Sequence, residues 1–398
     1  MKALTADSSV GQVPMAEPLA ARTTIAHDAA ARQLTRIWEE LLGIGSIGVD
    51  QNYFDLGGDS ILAVHLFAEI DKVFKVRMPV ASLYEAPTIE ELARIICGQA
   101  TASGRSPLVA IRPGGSRPPF FCMHGAGGTV LIYRALSQHL GPDQPFYGLQ
   151  SQGLDGSCEP LTTVEEMAGL YVKEIRTVQR NGPYYLGGYC GGGTIAYEVA
   201  QLLKAEGEEI ALLALLETSN WAKIPPPSFW AGAYQAGQRL AFHAANFFGL
   251  DSAGKAKFLS EKARIFRSRI PVWRGQLLGR FARRSRTTRS ESRLLGRIWQ
   301  ANDRAFSTYV AKPYAGALVD IRPIREYRMF DRPEAKWDKL AGAGQRTVTL
   351  PVYPAGMLVE PFVKHLAEAL RRSIDDAMRE WGVAQSSSGG APRVPRWP

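Results

Sequence analysis

The chain has 398 residues, of which 45% are hydrophobic and 21% charged, so two or three ordinary globular domains are expected. It contains no apolar run long enough to cross a bilayer and no N-terminal secretion signal. Its four cysteines have neither the density of a disulfide scaffold nor the spacing of a zinc site. These features argue against a membrane-spanning or disulfide-stapled protein and favour a reducing, cytoplasmic location.

The net charge of +9 is unevenly distributed along the chain. Residues 30–99 contain six basic and ten acidic residues, whereas residues 262–297 contain twelve basic residues and one acidic residue. The arginines of the basic segment alternate with apolar side chains, which favours amphipathic helices with a solvated basic face over a nucleic-acid site. Charge complementarity predicts that the acidic segment docks on the basic one.

The first part of the chain predicts a disordered leader over residues 1–28 and a small helical domain over 29–98. Apolar residues recur at helical spacing in three stretches of that domain, Ala31–Leu42, Ser60–Phe74 and Thr88–Cys97. Thr88 and Glu91 form a capping box at the start of the third stretch. Three short amphipathic helices of this kind can close a bundle.

Ser60 follows two glycines, Gly57 and Gly58, and opens the second predicted helix. The free N–H groups and positive dipole end of a helix N-terminus suit a phosphodiester on this hydroxyl. A serine in this place can also be a plain N-cap.

The stretch Val49-Asp50-Gln51-Asn52-Tyr53-Phe54-Asp55-Leu56-Gly57-Gly58-Asp59-Ser60 resembles the peptidyl carrier domains of nonribosomal peptide synthetases, over the whole of residues 29–98. The resemblance implies that Ser60 carries 4′-phosphopantetheine. It further implies three partners: a phosphopantetheinyl transferase, upstream synthetase modules or a loading adenylation enzyme, and a thioesterase that docks on the carrier. No nucleic acid or membrane is expected as a partner.

Residues 99–107 are small and polar and predict a flexible linker. From 108 to 382, strand and helix patterns alternate, which predicts an α/β domain with a parallel sheet covered by helices on both faces. The last strand is expected over Val348–Val352 and the last helix over Pro361–Arg379. The sheet pattern stops at about 221–305, where a helical lid is expected, and residues 383–398 predict a disordered tail.

Cys190 lies at the centre of the motif Gly188-Tyr189-Cys190-Gly191-Gly192, between an apolar strand and a helical stretch. This context predicts a nucleophile elbow, a strained turn that lifts one side chain above the sheet edge. The side chain is usually a serine hydroxyl, and here it is a thiol. We expect the thiol to ionise enough to be acylated without a base. The alternative is a buried structural cysteine.

The second region resembles the thioesterase domains that end nonribosomal peptide and polyketide assembly lines, an α/β-hydrolase family. The resemblance rests on the stretch from Phe121 to Gly128, the elbow, Leu215-Leu216-Glu217 and the segment from Met357 to Pro361. It implies an oxyanion hole formed by the N–H groups of Ala126 and Gly191, and Glu217 as the catalytic acid. A solvated strand-end carboxylate is the alternative for Glu217.

The resemblance also implies a structural role for His124 and a catalytic histidine at position 354. Pro354 occupies that position and cannot transfer a proton. His243, in the lid, is a possible substitute base, although a lone lid histidine is more often structural. His139 and His365 lie on other predicted helices.

The two resemblances together imply the terminal carrier–thioesterase unit of a nonribosomal peptide pathway, which makes a secondary metabolite. The acyl or peptidyl chain on Ser60-phosphopantetheine is expected to move to Cys190. Release is then expected by cyclisation or attack of a substrate nucleophile, because hydrolysis without a base is slow. Two alternatives remain: an acyltransferase that shuttles acyl groups between carriers, and a docking protein whose catalytic triad has decayed.

Overall fold

A computed structural model describes residues 19–58, 60–76, 78–98, 106–154, 156, 158–224, 229–256, 258–259, 286–354 and 356–387. The predictions for the leader before residue 19, for linker residues 99–105 and for the tail after residue 387 lie outside this range. So does most of the basic segment of the lid, up to residue 285.

The N-terminal unit consists of helices, as the sequence predicts. They are α1 (Leu19–Leu42), α2 (Ser60–Phe74), α3 (Ser82–Glu85) and α4 (Ile89–Ile96). The core of the bundle contains Leu34, Trp38, Leu66 and Leu92, all fully buried, because each helix turns its apolar face inward. Thr88 accepts a hydrogen bond from the Glu91 backbone, and this capping box fixes the start of α4.

Helix α1 begins earlier than the sequence predicts. It starts at Leu19, so the described part of the predicted leader is helical, and the prediction of disorder is wrong for residues 19–28. The stretch is rich in alanine, which has the highest helix propensity. Ala30 and Ala31 already lie in the core of the bundle.

The second unit is a seven-stranded α/β sheet, which confirms the predicted fold class. Its strands are β1 (Leu108–Arg112), β2 (Phe120–Met123), β3 (Phe146–Leu149), β4 (Tyr184–Tyr189), β5 (Ile210–Leu216), β6 (Leu318–Pro323) and β7 (Gln345–Leu350). The spatial order is β1-β3-β2-β4-β5-β6-β7. Strand β1 is antiparallel to β3, so the prediction of a wholly parallel sheet is corrected at this edge.

Helices cover both faces of the sheet, and each face has its own apolar core. They are α5 (Arg134–Leu140), α6 (Val164–Val178), α7 (Gly191–Ala205) and α10 (Val363–Ser387). Short 3-10 turns lie at Leu131–Tyr133, Trp221–Lys223, Pro333–Ala335 and Asp338–Leu340. Helix α10 extends to Ser387, so the prediction of a disordered tail is wrong for residues 383–387.

Two strands on the far side of the sheet differ from the sequence prediction. Strand β6 was not predicted, and β7 begins at Gln345, three residues before its expected start. Both strands carry charged residues, which break the apolar run that marks a buried strand. Asp320 in β6 is nonetheless buried, because Arg322 pairs with its carboxylate.

The helical lid is present where the sequence predicts it. Its described helices are α8 (Phe229–Phe248) and α9 (Arg286–Thr308). Helix α9 crosses the end of the sheet at which β2 and β4 stop, and the Phe306 ring lies directly over Gly191. The lid therefore covers the elbow.

The two units touch each other. Arg134, at the start of α5, contacts Phe54 and Asp55 of the helical unit, and Leu131 packs against the core of that unit. Helix α2 lies against the lid helix α9. No helix among the described residues is long and apolar enough to cross a membrane.

Candidate active site

Cys190 lies at the apex of a sharp turn between β4 and α7. Its backbone has φ 56° and ψ −123°, a conformation that residues other than glycine rarely adopt. A Cβ atom on Gly188 would lie 2.2 Å from the backbone of Gly192, so the turn closes only with glycine at this position. The backbone N–H of Cys190 donates to the carbonyl of Leu216 at 2.9 Å. The predicted strained elbow is therefore present.

Glu217 lies beside Cys190 at the end of the neighbouring strand. Tyr189 and Leu216 are paired in the parallel ladder between β4 and β5, so the residues that follow them are neighbours across the sheet. Glu217 also has a positive φ, 48°, and its N–H donates to Ile321 on β6. The Tyr189 hydroxyl donates a 2.9 Å hydrogen bond to Glu217 Oε2.

The pKa of the Glu217 carboxyl is raised from 4.5 to about 7. Burial is the largest cause, and the negative charge of Glu326 adds to it, whereas the hydrogen bond from Tyr189 lowers the pKa. Near neutral pH this carboxyl is thus divided between its protonated and ionised forms. It can both accept and return a proton, which an ordinary exposed glutamate does poorly at this pH.

The pKa of the Cys190 thiol is raised above its ordinary value, which disfavours the thiolate at neutral pH. Burial is the largest of the causes that raise its pKa to about 12, followed by the charge of Glu217 and, less, that of Asp303 on α9. The Gly191 N–H favours the thiolate by hydrogen bonding to it. The expectation of unaided ionisation is corrected, because a thiol next to a carboxylate in a desolvated turn needs a proton acceptor.

The two predicted oxyanion-hole residues lie on adjacent backbone segments. Gly191 is the first residue of α7, where N–H groups are free of helical partners. A Cβ on Gly192 would lie 2.3 Å from the carbonyl oxygen of Met123, so the start of α7 packs tightly on the end of β2. Ala126 lies in the loop that follows β2, and its carbonyl accepts a 2.9 Å hydrogen bond from Asn302 Nδ2.

Asn302 of the lid was not singled out by the sequence. Its side chain is fully buried, and its Oδ1 atom has no hydrogen-bond partner among the described residues. Ile298 and Trp299, on the preceding turn of α9, lie against Gly128 and Gly127. The lid helix therefore fixes the loop that carries Ala126. No local pattern marks Asn302, because its partner is 176 residues away.

His124 is buried beneath this loop. Its Nδ1 atom is 2.7 Å from the Gly125 carbonyl oxygen, so Nδ1–H is the donor, and its ring meets Tyr171 edge-on. Burial lowers its pKa to about 4, so the imidazole is neutral. The Nε2 atom has no partner among the described residues. This placement suits the structural role that the sequence predicts.

The structure places Pro354 in the loop after β7, and the proline is buried. His139 pairs with Glu360 at 2.7 Å, and His365 lies on α10 beside a groove lined by β7 residues. Neither histidine is placed at the elbow by these contacts.

His243 lies on the lid helix α8 where that helix is fastened to the Pro354 loop. Phe242 stacks on the Tyr353 ring, with centroids 5.5 Å apart. Asn246 Oδ1 accepts from the Tyr353 N–H at 2.9 Å, and its Nδ2 donates to the Tyr353 carbonyl at 3.3 Å. His243 and Asn246 are neighbours on the helix surface, because residues three apart share a face.

In the helical unit, Ser60 is the first residue of α2, as the sequence predicts. Gly57 has φ 93°, and a Cβ on Gly58 would overlap the Tyr53 ring at 2.2 Å, so the turn before the helix closes only with these glycines. This partly buried turn leads into a helix N-terminus, a backbone setting that fits a phosphodiester on Ser60. No cluster of metal-ligating side chains occurs among the described residues.

The fold and the site define an α/β hydrolase preceded by a carrier-type helical bundle. Comparison with known families agrees: residues 32–96 match the phosphopantetheine attachment site and residues 118–225 match the thioesterase domain. The chain is a peptidyl carrier–thioesterase didomain of the nonribosomal peptide synthetase type. Its carrier domain is of the type to which 4′-phosphopantetheine is covalently attached.

The chain is similar to parts of much longer proteins. It is 41% identical over 187 residues to malpinin synthetase of Mortierella alpina. The aligned stretch makes up 46% of this chain and 2% of that protein. It is 39% identical over 184 residues to a dimodular nonribosomal peptide synthase of Bacillus subtilis, covering 46% of this chain and 8% of the relative. The chain is also similar to a solved structure, a four-domain nonribosomal peptide synthetase bound to AMP and glycine. The match covers 87% of this chain and 26% of the synthetase chain, with 26% sequence identity and a TM-score of 0.54.

Proposed function

We propose that this didomain releases an acyl or peptidyl chain through Cys190, and that a nucleophile of the substrate, rather than water, completes the release. The observation that carries the proposal is the position of Cys190, at the apex of the elbow, next to Glu217: each directly follows one of the paired strand-end residues Tyr189 and Leu216. A proline at position 354 removes the histidine that would activate water.

Ser60 is the proposed attachment point of the phosphopantetheine, which, when attached, presents the chain as a thioester. The helix N-terminus at Ser60 and the tight Gly57–Gly58 turn are the features of this chain that would hold the phosphodiester. The proposed partners in modification and loading are a phosphopantetheinyl transferase and an upstream synthetase module or adenylation enzyme.

In the acylation step, Cys190 loses its proton to the Glu217 carboxylate. This transfer neutralises the carboxylate, whose negative charge opposes ionisation of the thiol. The pair therefore carries a single negative charge before and after the transfer. The sulfur then forms a bond to the carbonyl carbon of the incoming thioester. As that carbon's bond to the departing sulfur breaks, the departing thiolate takes the proton from Glu217.

During this attack, the carbonyl oxygen becomes negative and needs hydrogen-bond donors. The N–H groups of Gly191 and Ala126 are the proposed donors, and a preorganised donor of this kind is worth about 10²–10³ in rate. Asn302 serves as a positioning residue, because it holds the Ala126 carbonyl from the lid.

For release, an amine or a stabilised carbanion of the substrate attacks the Cys190 thioester. The new bond forms at the carbonyl carbon and the bond to the Cys190 sulfur breaks. Glu217 accepts the proton that the amine, or the carbon acid from which the carbanion forms, gives up, and passes it to the departing Cys190 thiolate, which restores the thiol and the carboxylate. An amine is intrinsically far more nucleophilic than water, so it depends less on a strong base. A lid that covers the elbow favours this outcome further, because it limits the access of water.

His243 is the second candidate base. The observation that favours this role is the position of His243 on α8, where Phe242 and Asn246 hold the helix against the Pro354 loop. A His243→Gln variant separates the two candidates, because only a catalytic His243 would lower the acylation rate when it is replaced.

The experiment is intact-protein and peptide mass spectrometry of the full chain after its carrier is loaded with an acyl group. We expect the acyl mass on Ser60 of a Cys190→Ala variant and on both Ser60 and Cys190 of the parent. Cys122→Ala, which changes a buried thiol of β2, is the matched control and should retain the adduct. An adduct that persists in Cys190→Ala outside the carrier domain would refute the proposed nucleophile.

A further inference from the structure

Arg134, which lies outside the basic lid segment, forms an ion pair between the thioesterase and the carrier within the described part of the chain. The guanidinium of Arg134 lies 4.4 Å from the centroid of the Phe54 ring, and its Nη2 donates to Asp55 Oδ1 at 3.3 Å. Phe54 and Asp55 belong to the loop that leads to Ser60. One side chain of the thioesterase thus holds a ring and a carboxylate of the carrier at once.

Two further contacts surround this arginine. The Tyr84 hydroxyl of the carrier lies 3.4 Å from the Leu131 carbonyl oxygen, to which it donates, and the Tyr84 ring packs against Phe54. The Leu131 side chain is buried against the apolar core of the carrier. The interface therefore has an apolar centre, with the arginine beside it.

The described end of the basic lid segment contacts the thioesterase itself rather than the carrier. Nη1 of Arg297 donates to both carboxylate oxygens of Glu159, a residue of the thioesterase, at 2.8 and 3.0 Å. The predicted docking of the acidic carrier on the basic segment is thus not seen at Arg297, and residues 262–285 lie outside the described range.

The contact at Arg134 also sets the direction in which the carrier faces. Helix α2, which begins at Ser60, lies against α9, and Phe306 of α9 packs on Gly191, the residue after Cys190. We propose that Arg134 is a docking residue that holds the carrier in the orientation for delivery of its chain to the thioesterase.

This arrangement explains why an arginine rather than a lysine serves here. A planar guanidinium can stack on an aromatic ring and donate to a carboxylate in the same geometry, which a point-like ammonium does less well. Asp55 is 75% exposed and Arg134 28% exposed at the side chain, so salt screens the ion pair and the docking is reversible. A reversible contact is what a carrier that visits several partners requires.

The test measures docking directly in the full chain. Spin labels are introduced through unnatural amino acids at the exposed positions Lys72 and Arg180, which leaves the native cysteines unchanged. The parent should give one narrow distance distribution. Arg134→Glu should broaden it and lower the docked fraction about fivefold or more, since both the ion pair and the ring contact are lost.

The charge-exchange pair tests the contact itself. Asp55→Arg should separate the domains as Arg134→Glu does, and the double variant should recover part of the docked fraction, because it restores the ion pair but not the contact of a guanidinium at position 134 with the Phe54 ring. Arg332→Glu, at an exposed arginine near the loop after β6, is the matched control and should behave as the parent. An unchanged distribution in Arg134→Glu, or no recovery in the double variant, would overturn the proposal.

A kinetic readout separates docking from damage to the thioesterase. Arg134→Glu should slow acylation of Cys190 by a carrier-borne chain but leave its acylation by a small-molecule thioester unchanged. Equal losses in both reactions would show that Arg134 supports the thioesterase fold instead. Because the spin-label measurement needs no chemistry at Cys190, docking can be confirmed even if Cys190 is not the nucleophile.

Discussion

The Tyr189 hydroxyl donates a 2.9 Å hydrogen bond to Oε2 of Glu217, and Tyr189 directly precedes Cys190. The carboxylate therefore pairs with a phenol beside the proposed nucleophile. An acid that orients a histidine can keep an ordinary low pKa, whereas a carboxylate that moves protons at neutral pH needs a raised one. The pKa of about 7 at Glu217 suits the second role.

The acylation rate should rise with pH through a limb near 7, because Glu217 accepts a proton only when it is ionised. Tyr189→Phe removes the hydrogen bond that stabilises the carboxylate, so the limb should move upward by about one pH unit. The measurement is the rate of Cys190 acylation by a small-molecule thioester from pH 5 to 9. Tyr185→Phe, a buried tyrosine of the same strand, is the control. An unmoved limb in Tyr189→Phe would rule out Glu217 as the titrating base.

Glu217 should also make stability depend on pH. Its pKa is about 7 in the folded chain and near 4.5 in the unfolded chain, so the folded state holds more protons between these values and stability falls as pH rises. Glu217→Gln removes this loss. The free energy of unfolding that the variant gains over the parent should therefore be larger at pH 8 than at pH 4, by on the order of 3 kcal/mol. Denaturant unfolding at both pH values measures the difference. A gain that is the same at both values would contradict the account.

The contact between Gly191 and the lid should tolerate no side chain. A Cβ at this position would lie 2.1 Å from the Phe306 ring, so Gly191→Ala should cost about 1–3 kcal/mol and displace α9. Thermal unfolding and the acylation rate report the two effects. Gly169→Ala on α6, where a Cβ meets nothing within 4 Å, should be neutral or stabilising. Combining Gly191→Ala with Phe306→Ala should recover part of the stability, and no recovery would place the clash elsewhere.

Pro354→His should add the base that the site lacks. We expect hydrolysis of the Cys190 adduct to rise by about 10²-fold or more, because general-base catalysis contributes about 10²–10⁴. Pro354→Ala controls for loosening of the loop and should leave hydrolysis slow. Equal rates in the two variants would mean that the absent histidine does not limit deacylation.

The sequence predicted the parts of the site that lie within one motif. The glycines around Cys190 and before Ser60 each close a turn between adjacent elements, and such turns are local. It also placed Glu217 at the end of a strand, although not its bond to Tyr189. That bond depends on the register of β4 on β5, which only the assembled sheet defines.

Other features depend on contacts between distant parts of the chain. Strand β6 was missed because Asp320 and Arg322 interrupt the apolar run that marks a buried strand. The two residues can be buried in β6 because they form an ion pair once the chain is folded. Asn302 reaches Ala126 across 176 residues, and Arg134 reaches Asp55 across 79. The raised pKa of Cys190 has the same origin, since burial and the neighbouring carboxylate both come from tertiary structure.

The most direct test of the central claim is a single-turnover measurement on the acylated full chain. The Cys190 adduct is formed and its decay is followed by intact mass, first in buffer and then with a small primary amine. The account predicts an adduct that persists in buffer and decays at least tenfold faster with the amine, as the amide appears. Rapid hydrolysis in buffer, unaffected by the amine, would contradict it.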